Sequence, residues 1–390
     1  MKPTFAVRDG LFPLLAAVAT ACAASGSSPS GFPGEPGGSS GSGPGSSGAA
    51  SSSSGVGASG SSSGGGSGTS LGSGSESSSG VVGPSSGGGV GLSSGSSSSG
   101  GGSGSSGGRA SSGGSSGGAG SSSGPVMGRC SETLPSLSDY SMNGPFMASA
   151  PNGSTGPGSA YTVVQPTTLG TLGGKPFKHP IITWGNGITT TPSYYTAWFD
   201  LMASNGFVVI ASNSSSVTVQ NMTDGLDWMV QQNTTSGPYQ GMLDTSCLFT
   251  VGYSLGGQGS IGSGSHADVV ATIGIHPAGG SPAGLKGPLL LFTADTDTVC
   301  TAATFVLPVF QSSPVQSFYG DLSAAGDPNN YGHITPVISP GLELSGTMAW
   351  LRLWAYGDQG AKGYFWGSAA KLCQAPWQCQ SKAAGGAAQM

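Results

Sequence analysis

Apolar residues fall into two regimes along this chain. Up to about residue 128 they are mostly scattered among glycine and serine, and the one long run is Leu11–Ala21. From residue 129 onward they gather into short runs that alternate with helical spacings. Tyr161–Gln165 and Pro180–Trp184 read as strands, the second with Ile181 and Ile182 in succession. Tyr194–Ser204 has helical spacing, and Asn205-Gly206 supplies its stop. Phe207–Ala211 reads as a buried strand, and Val219, Met222, Leu226, Met229 and Val230 share one helical face. Cys247–Val251 is the next strand, followed by a helix of small residues. Val269–Ile275, Leu289–Thr293 and Val315–Tyr319 are further strands, and Leu344–Tyr356 is a terminal helix. Strands that are apolar at consecutive positions are covered on both faces. The pattern therefore predicts an α/β fold, with a mostly parallel central sheet and helices on both faces.

Composition sets the domain limits. Of 390 residues, 74 are glycine and only 7% are charged, and the bias is concentrated between Ser25 and Gly124. A Gly/Ser tract buries too little apolar surface to offset its ordering entropy, so residues 25–128 read as a disordered linker. Residues 129–390 read as the folded domain, large enough for one α/β core. Residues 1–24 read as an export signal: Lys2 and Arg8 precede Leu11–Ala21, a run too short to span a bilayer. Cleavage before Cys22, with lipidation of its thiol, is the preferred reading, because a long tether after Cys22 suits a surface anchor. Cleavage after Ala23 would instead release a secreted protein. A net charge of −5 with no basic run excludes nucleic acid as the expected partner. Beyond Cys22, the close spacing of Cys373 and Cys379 favours a local disulfide, while Cys130, Cys247 and Cys300 are an odd set. No Cys-x-x-Cys or His-x-x-x-His spacing points to a metal. A monomer without metal or cofactor is expected.

The chemistry centres on Gly252-Tyr253-Ser254-Leu255-Gly256, between a strand and a helix. This is the setting of a nucleophile elbow, where a sharp turn exposes a serine and a helix N-terminus faces developing negative charge. A serine nucleophile needs a base, and the base an orienting acid. The elbow architecture orders them Ser, acid, His. Of His179, His266, His276 and His333, only His333 follows the candidate acids. Leu289–Thr293 runs into Ala294-Asp295-Thr296-Asp297; Asp297, further beyond the strand end, is the preferred acid and Asp295 the alternative. Two backbone donors would form an oxyanion hole: Leu255 N–H, and Ile188 N–H in the loop Gly185-Asn186-Gly187-Ile188-Thr189. His276, in Ile275-His276-Pro277-Ala278-Gly279, sits at a strand end by the cleft, as a substrate contact or a hydrogen-bonded structural residue.

These segments carry a specific resemblance. Trp184-Gly185-Asn186-Gly187, Trp198 through Ile210, Gly252 through Gly257, Thr293 through Asp297, and His333 together resemble the cutinase and bacterial polyester (PET) hydrolase branch of the α/β-hydrolases, related to dienelactone hydrolases. The resemblance spans about residues 145–355 and implies an α/β-hydrolase fold. It also implies Ser254, Asp297 and His333 as catalytic residues, and Ile188 and Leu255 as oxyanion donors. Members of that branch usually carry an aromatic residue at the Ile188 position, Met at Leu255, and Trp near Ala278 or Gly279. The resemblance thus places Ala278 at the substrate, with a weakened aromatic clamp. The expected function is an exported serine carboxylic-ester hydrolase acting on lipid, cutin-like or polyester substrates. The alternatives are an esterase releasing acetyl or feruloyl groups from polysaccharide, and a non-catalytic tethered binding module on a hydrolase scaffold.

Overall fold

In the computed structural model, which describes residues 127–386, neighbouring residues of one strand are buried against opposite layers. The export signal with Cys22, and the linker up to residue 126, lie outside the described residues. The strands are β1 (Asn152–Thr155), β2 (Tyr161–Val164), β3 (Thr171–Leu172), β4 (Lys175–Pro176), β5 (His179–Gly185), β6 (Val208–Ser212), β7 (Leu243–Tyr253), β8 (Val269–Ile275), β9 (Leu289–Ala294), β10 (Ser317–Leu322) and β11 (Trp377–Lys382). The longer helices are α1 (Thr196–Ser204), α2 (Val219–Gln232), α3 (Leu255–Ser263), α4 (Leu307–Ser312) and α5 (Gly341–Tyr356). Nine strands form one sheet in the order β1-β2-β6-β5-β7-β8-β9-β10-β11, and β3 pairs with β4 in a separate hairpin. The run from β6 to β10 is parallel, while β1, β2 and β11 join antiparallel at the edges.

The helices divide between the two faces. Ile182, Trp184, Phe249, Val251 and Phe292 pack with Phe199 and Met202 of α1 and with Trp350, Leu353 and Trp354 of α5. On the other face, Ile181, Val208 and Leu248 pack with Leu226 and Met229 of α2, and Leu289 and Leu291 pack near Ile261 of α3 and Phe310 of α4. Ile181 and Ile182 thus serve different layers, which is why their strand reads as an unbroken apolar run. None of the described helices is long and apolar enough to cross a membrane.

Local chemistry fixes the ends. Thr218 caps α2 through the Asn221 N–H, and the Asn221 side chain accepts from the Thr218 N–H, a reciprocal box. α5 stops at Gly357, whose φ of 68° is a left-handed conformation that glycine adopts without a Cβ clash. Near that end Arg352 is fully buried, paired with Asp358 at 2.9 Å and donating to Asn205 Oδ1 at 2.8 Å and to the Pro135 carbonyl. Partners on three segments offset the cost of burying the guanidinium.

Two disulfides join cysteines among the described residues. Cys373–Cys379 forms as the spacing predicts, and Cys130 pairs with Cys247 of β7, 117 positions away. The elements that the apolar pattern does not predict are β1, the β3–β4 hairpin, α4 and β11. The predicted Cys247–Val251 strand is part of the longer β7.

Candidate active site

Four parallel strands deliver the site from their C-terminal ends: Ser254 follows β7, His276 follows β8, Asp297 lies just beyond β9, and His333 lies in the loop after β10. Ser254 adopts φ 57° and ψ −120°, a conformation that L side chains rarely occupy. It is pinned there by its N–H, which donates to the Ile275 carbonyl at 2.9 Å. Its own carbonyl accepts from Ala278 N–H at 3.0 Å and Gln258 N–H at 3.1 Å. The flanking glycines are steric requirements. A Cβ on Gly252 would sit 2.1 Å from the Gly256 carbonyl oxygen, and one on Gly256 would sit 2.0 Å from that of Gly185.

His333 Nε2 lies 2.9 Å from Ser254 Oγ, and His333 Nδ1 lies 2.8 Å from Asp297 Oδ2. A carboxylate only accepts, so Nδ1 carries the proton and Nε2 presents a lone pair to the serine hydroxyl. Asp297 is held from its other oxygen, where Oδ1 accepts from the N–H groups of Val299 (2.8 Å) and Cys300 (2.9 Å). Asp295, the alternative acid, is exposed and uses its N–H on the Leu322 carbonyl. The His333 loop is itself tied down. Asp327 accepts from Tyr331 N–H, Gly332 N–H and Thr296 Oγ1, and Tyr253 O–H donates to the His333 carbonyl at 2.7 Å. The sequence singles out neither Asp327 nor Tyr253; only the turn-forming Pro328-Asn329-Asn330 hints that this loop is built.

Burial pushes the His333 pKa down from its ordinary value, and the Asp297 carboxylate only partly restores it. Burial alone would raise the Asp297 pKa, but hydrogen bonds from His276 and His333 outweigh it and hold the group ionised well below the usual carboxylate range. The arrangement is therefore a neutral base beside a fixed anion.

His276 requires a correction. The sequence places it among the substrate contacts, but it is wholly buried with both ring nitrogens occupied. Nδ1 is 2.7 Å from Asp297 Oδ2, and Nε2 is 2.7 Å from Glu343 Oε1 on α5. Its structural alternative is the one realised. Burial opposes its charge, yet Glu343 and Asp297 together raise its pKa to about 10. Glu343 has no local sequence signal, since it lies 67 positions from His276. Ala278 is also buried, packed with Cys300 beside Phe305.

Of the two expected oxyanion donors, Leu255 directly follows Ser254 and Ile188 lies in the loop after β5. Leu255 opens α3, where first-turn N–H groups have no intrahelical acceptor. Around Ile188 the loop is fixed on both sides. Gly187 N–H donates to Tyr195 Oη at 3.0 Å, Thr189 N–H to the Ser215 carbonyl at 2.7 Å, and Asn186 Nδ2 to the Ser212 carbonyl at 2.6 Å.

Comparison with known proteins finds curated relatives and a family. Cutinase 2 of Thermobifida cellulosilytica is 28% identical over 174 residues, covering 42% of this chain and 63% of its own length. Cutinase cut1 of Thermobifida fusca is 28% identical over 174 residues, covering 42% of this chain and 52% of its own. The match therefore spans between about half and just under two thirds of these two relatives. Cutinase 1 of Thermobifida cellulosilytica is 26% identical over 233 residues, covering 55% of this chain and 82% of its own. The profile of the PET hydrolase-like family matches residues 138–359, from before β1 to just beyond α5, and takes in every residue of the site. Over more than half its length, then, the chain carries that family's pattern on an α/β-hydrolase sheet, and it belongs to the PET hydrolase-like family.

Proposed function

We propose that this protein is an exported serine hydrolase of carboxylic esters, with Ser254 as nucleophile, His333 as general base and Asp297 as the acid that orients it. The observation that carries this reading is the continuous chain Ser254 Oγ–His333 Nε2 at 2.9 Å and His333 Nδ1–Asp297 Oδ2 at 2.8 Å, on a serine held at φ 57°. In the first half-reaction Ser254 Oγ attacks the ester carbonyl carbon while His333 Nε2 takes the hydroxyl proton. The carbonyl oxygen gains the negative charge and is met by the N–H groups of Ile188 and Leu255. His333 returns the proton to the leaving alkoxide, which departs as an alcohol and leaves the acyl-serine. Water, deprotonated by His333, then releases the carboxylic acid and regenerates Ser254.

The substrate class that fits is an ester of a lipid, a cutin-like polymer or a polyester. The relatives named cutinase support the ester class. The disulfides Cys130–Cys247 and Cys373–Cys379 support export, because such bonds persist in oxidising compartments. A fluorophosphonate probe followed by peptide mapping tests the chemistry directly. Label on Ser254, together with turnover of a graded p-nitrophenyl ester series and of a polymer film, is the expected result. An unlabelled Ser254 in folded, full-length protein would reject the reading.

A further inference from the structure

The reaction above uses Ser254, His333 and Asp297, and leaves a second histidine and a second carboxylate unexplained behind them. Asp297 Oδ2 receives two imidazole Nδ1 atoms, from His333 at 2.8 Å and from His276 at 2.7 Å. The far nitrogen of His276 meets Glu343 Oε1 at 2.7 Å. His276, Asp297 and Glu343 side chains are all fully buried. An ionised carboxylate has no proton to give, so an imidazole set between two ionised carboxylates donates from both nitrogens and is a cation. His276 also adopts φ 46°, a left-handed conformation for a non-glycine residue, and its N–H is fixed on the Phe292 carbonyl at 2.8 Å. Strain of this kind persists only where the surroundings impose it.

We propose that His276 and Glu343 are positioning residues for the acyl-transfer reaction: His276, held as an imidazolium by Glu343, locks the Asp297 carboxylate in place and sets how strongly it attracts a proton to His333. This rests on the reading of Ser254, Asp297 and His333 as the reacting set. A cation beside Asp297 would by itself weaken that carboxylate's hold on the His333 proton. Glu343 compensates, so that Asp297, His276 and Glu343 together present one net negative charge to His333. In agreement, His276 acts to lower the His333 pKa and Glu343 acts to raise it. Among the described residues, Glu343 Oε2 has no hydrogen-bond partner, so the only hydrogen bond of this carboxylate is the one through Oε1 to His276. The titratable groups facing His276 are Asp297 beyond β9, Glu343 on α5, His333 in its loop, Tyr253 at the end of β7 and, more distantly, Asp321 on β10.

The pair makes different predictions for two variants of the full chain. His276→Asn keeps an N–H donor toward Asp297, and Asn tolerates a positive φ; it removes the cation. The acidic limb of the kcat/KM profile should move to higher pH. Glu343→Gln removes the anion that holds the ring charged, while its amide can still hydrogen-bond the neutral ring; cation and anion are lost together, so the limb should stay near its original position and His276 should lose one ring proton at pH 8. In both, kcat should fall about tenfold, well within what general-base catalysis supplies, with KM little changed. A merely structural role would reduce the active fraction without moving the His276→Asn limb and without discharging His276 in Glu343→Gln, and that outcome overturns the proposal. Histidine-selective 15N NMR of the unaltered protein needs no variant. Both His276 nitrogens should remain protonated at pH 8, and one unprotonated nitrogen refutes the imidazolium. Fluorophosphonate labelling of Ser254 separates this failure from failure of the underlying reading, since a labelled serine with an unmoved His276→Asn limb rejects only the role of His276 and Glu343.

Discussion

On either side of Asp297 sit two buried imidazoles that make the same bond and end in opposite states. His333 and His276 each direct Nδ1 at Oδ2 of the same carboxylate, at 2.8 and 2.7 Å. Burial penalises the charged form of both. The difference lies in what the second nitrogen meets. On His333 it meets the Ser254 hydroxyl, which can give a proton, and the ring stays neutral with its pKa lowered. On His276 it meets Glu343, which cannot, and the pKa rises to about 10. The lesson is that burial does not decide the charge of a histidine; the partner of its far nitrogen does.

The largest expected effect comes from removing the group that His333 faces. Ser254→Ala should cut ester turnover on the order of 10⁶-fold, leaving the small residual rate that oxyanion donors and binding supply. Steady-state hydrolysis of p-nitrophenyl esters measures it, and near-normal turnover would mean that the neutral histidine serves something else. Next is the shared carboxylate. Asp297→Asn should cost about 10⁴-fold in kcat, because an amide can no longer hold His333 in the Nδ1–H tautomer. The same change removes one of the two anions that keep His276 charged, so the variant should also lose thermal stability, whereas Ser254→Ala should not.

The contrast extends to pH. His333 must be neutral to act as a base, and its lowered pKa means that kcat/KM should hold at pH values where an ordinary histidine, near 6.5, is already half protonated. An acidic limb above 6.5 would contradict the geometry. His276 should show the opposite dependence in stability. Its folded pKa is raised above its unfolded value, so its contribution is fully present below 6.5 and is lost as pH rises through about 10. Denaturant unfolding of the unaltered chain should weaken across that window. The His276→Asn variant should show a shallower decline.

The two histidines also differ in how far the sequence exposes them. Ser254 is legible because a strand, two sterically required glycines and a helix surround it within a few residues. His333 and Asp297 follow from chain order and strand ends. His276 is visible as a strand-end histidine but not its role, because that role depends on Glu343, three residues into a helix and one position before the predicted Leu344 start. The parallel core strands are legible because both faces are buried and each reads as an apolar run. The edges are not. Strand β11 holds Gln378, Gln380 and Ser381, and its only large apolar residue is Trp377, so nothing in its pattern marks a strand. The pairing of Cys130 with Cys247 is equally unreadable, since the partner is chosen by the folded chain bringing the segment before β1 against β7.

The smallest expected effect tests that edge, far from the two histidines. Cys373 and Cys379 close a short loop immediately before and within β11, which pairs in register with β10 from Trp377 opposite Leu322 to Lys382 opposite Ser317. Trp377 is buried, its ring centroid 5.1 Å from that of Phe292. A loop this short constrains the unfolded chain by only about 2–3 kcal/mol, or about 5–10 °C in melting temperature for a domain of this size. The full ladder with β10 and the buried indole remain when the bond is opened, so the strand should stay docked. Cys373→Ser with Cys379→Ser should therefore lower the melting temperature by no more than that amount and leave the kcat/KM profile, including its acidic limb, unchanged. Phe292 lies on β9, the strand that leads directly into Asp297. Should the double variant shift the limb, β11 would be holding the acid in place through Phe292, and the separation between a catalytic centre and a structural edge would fail.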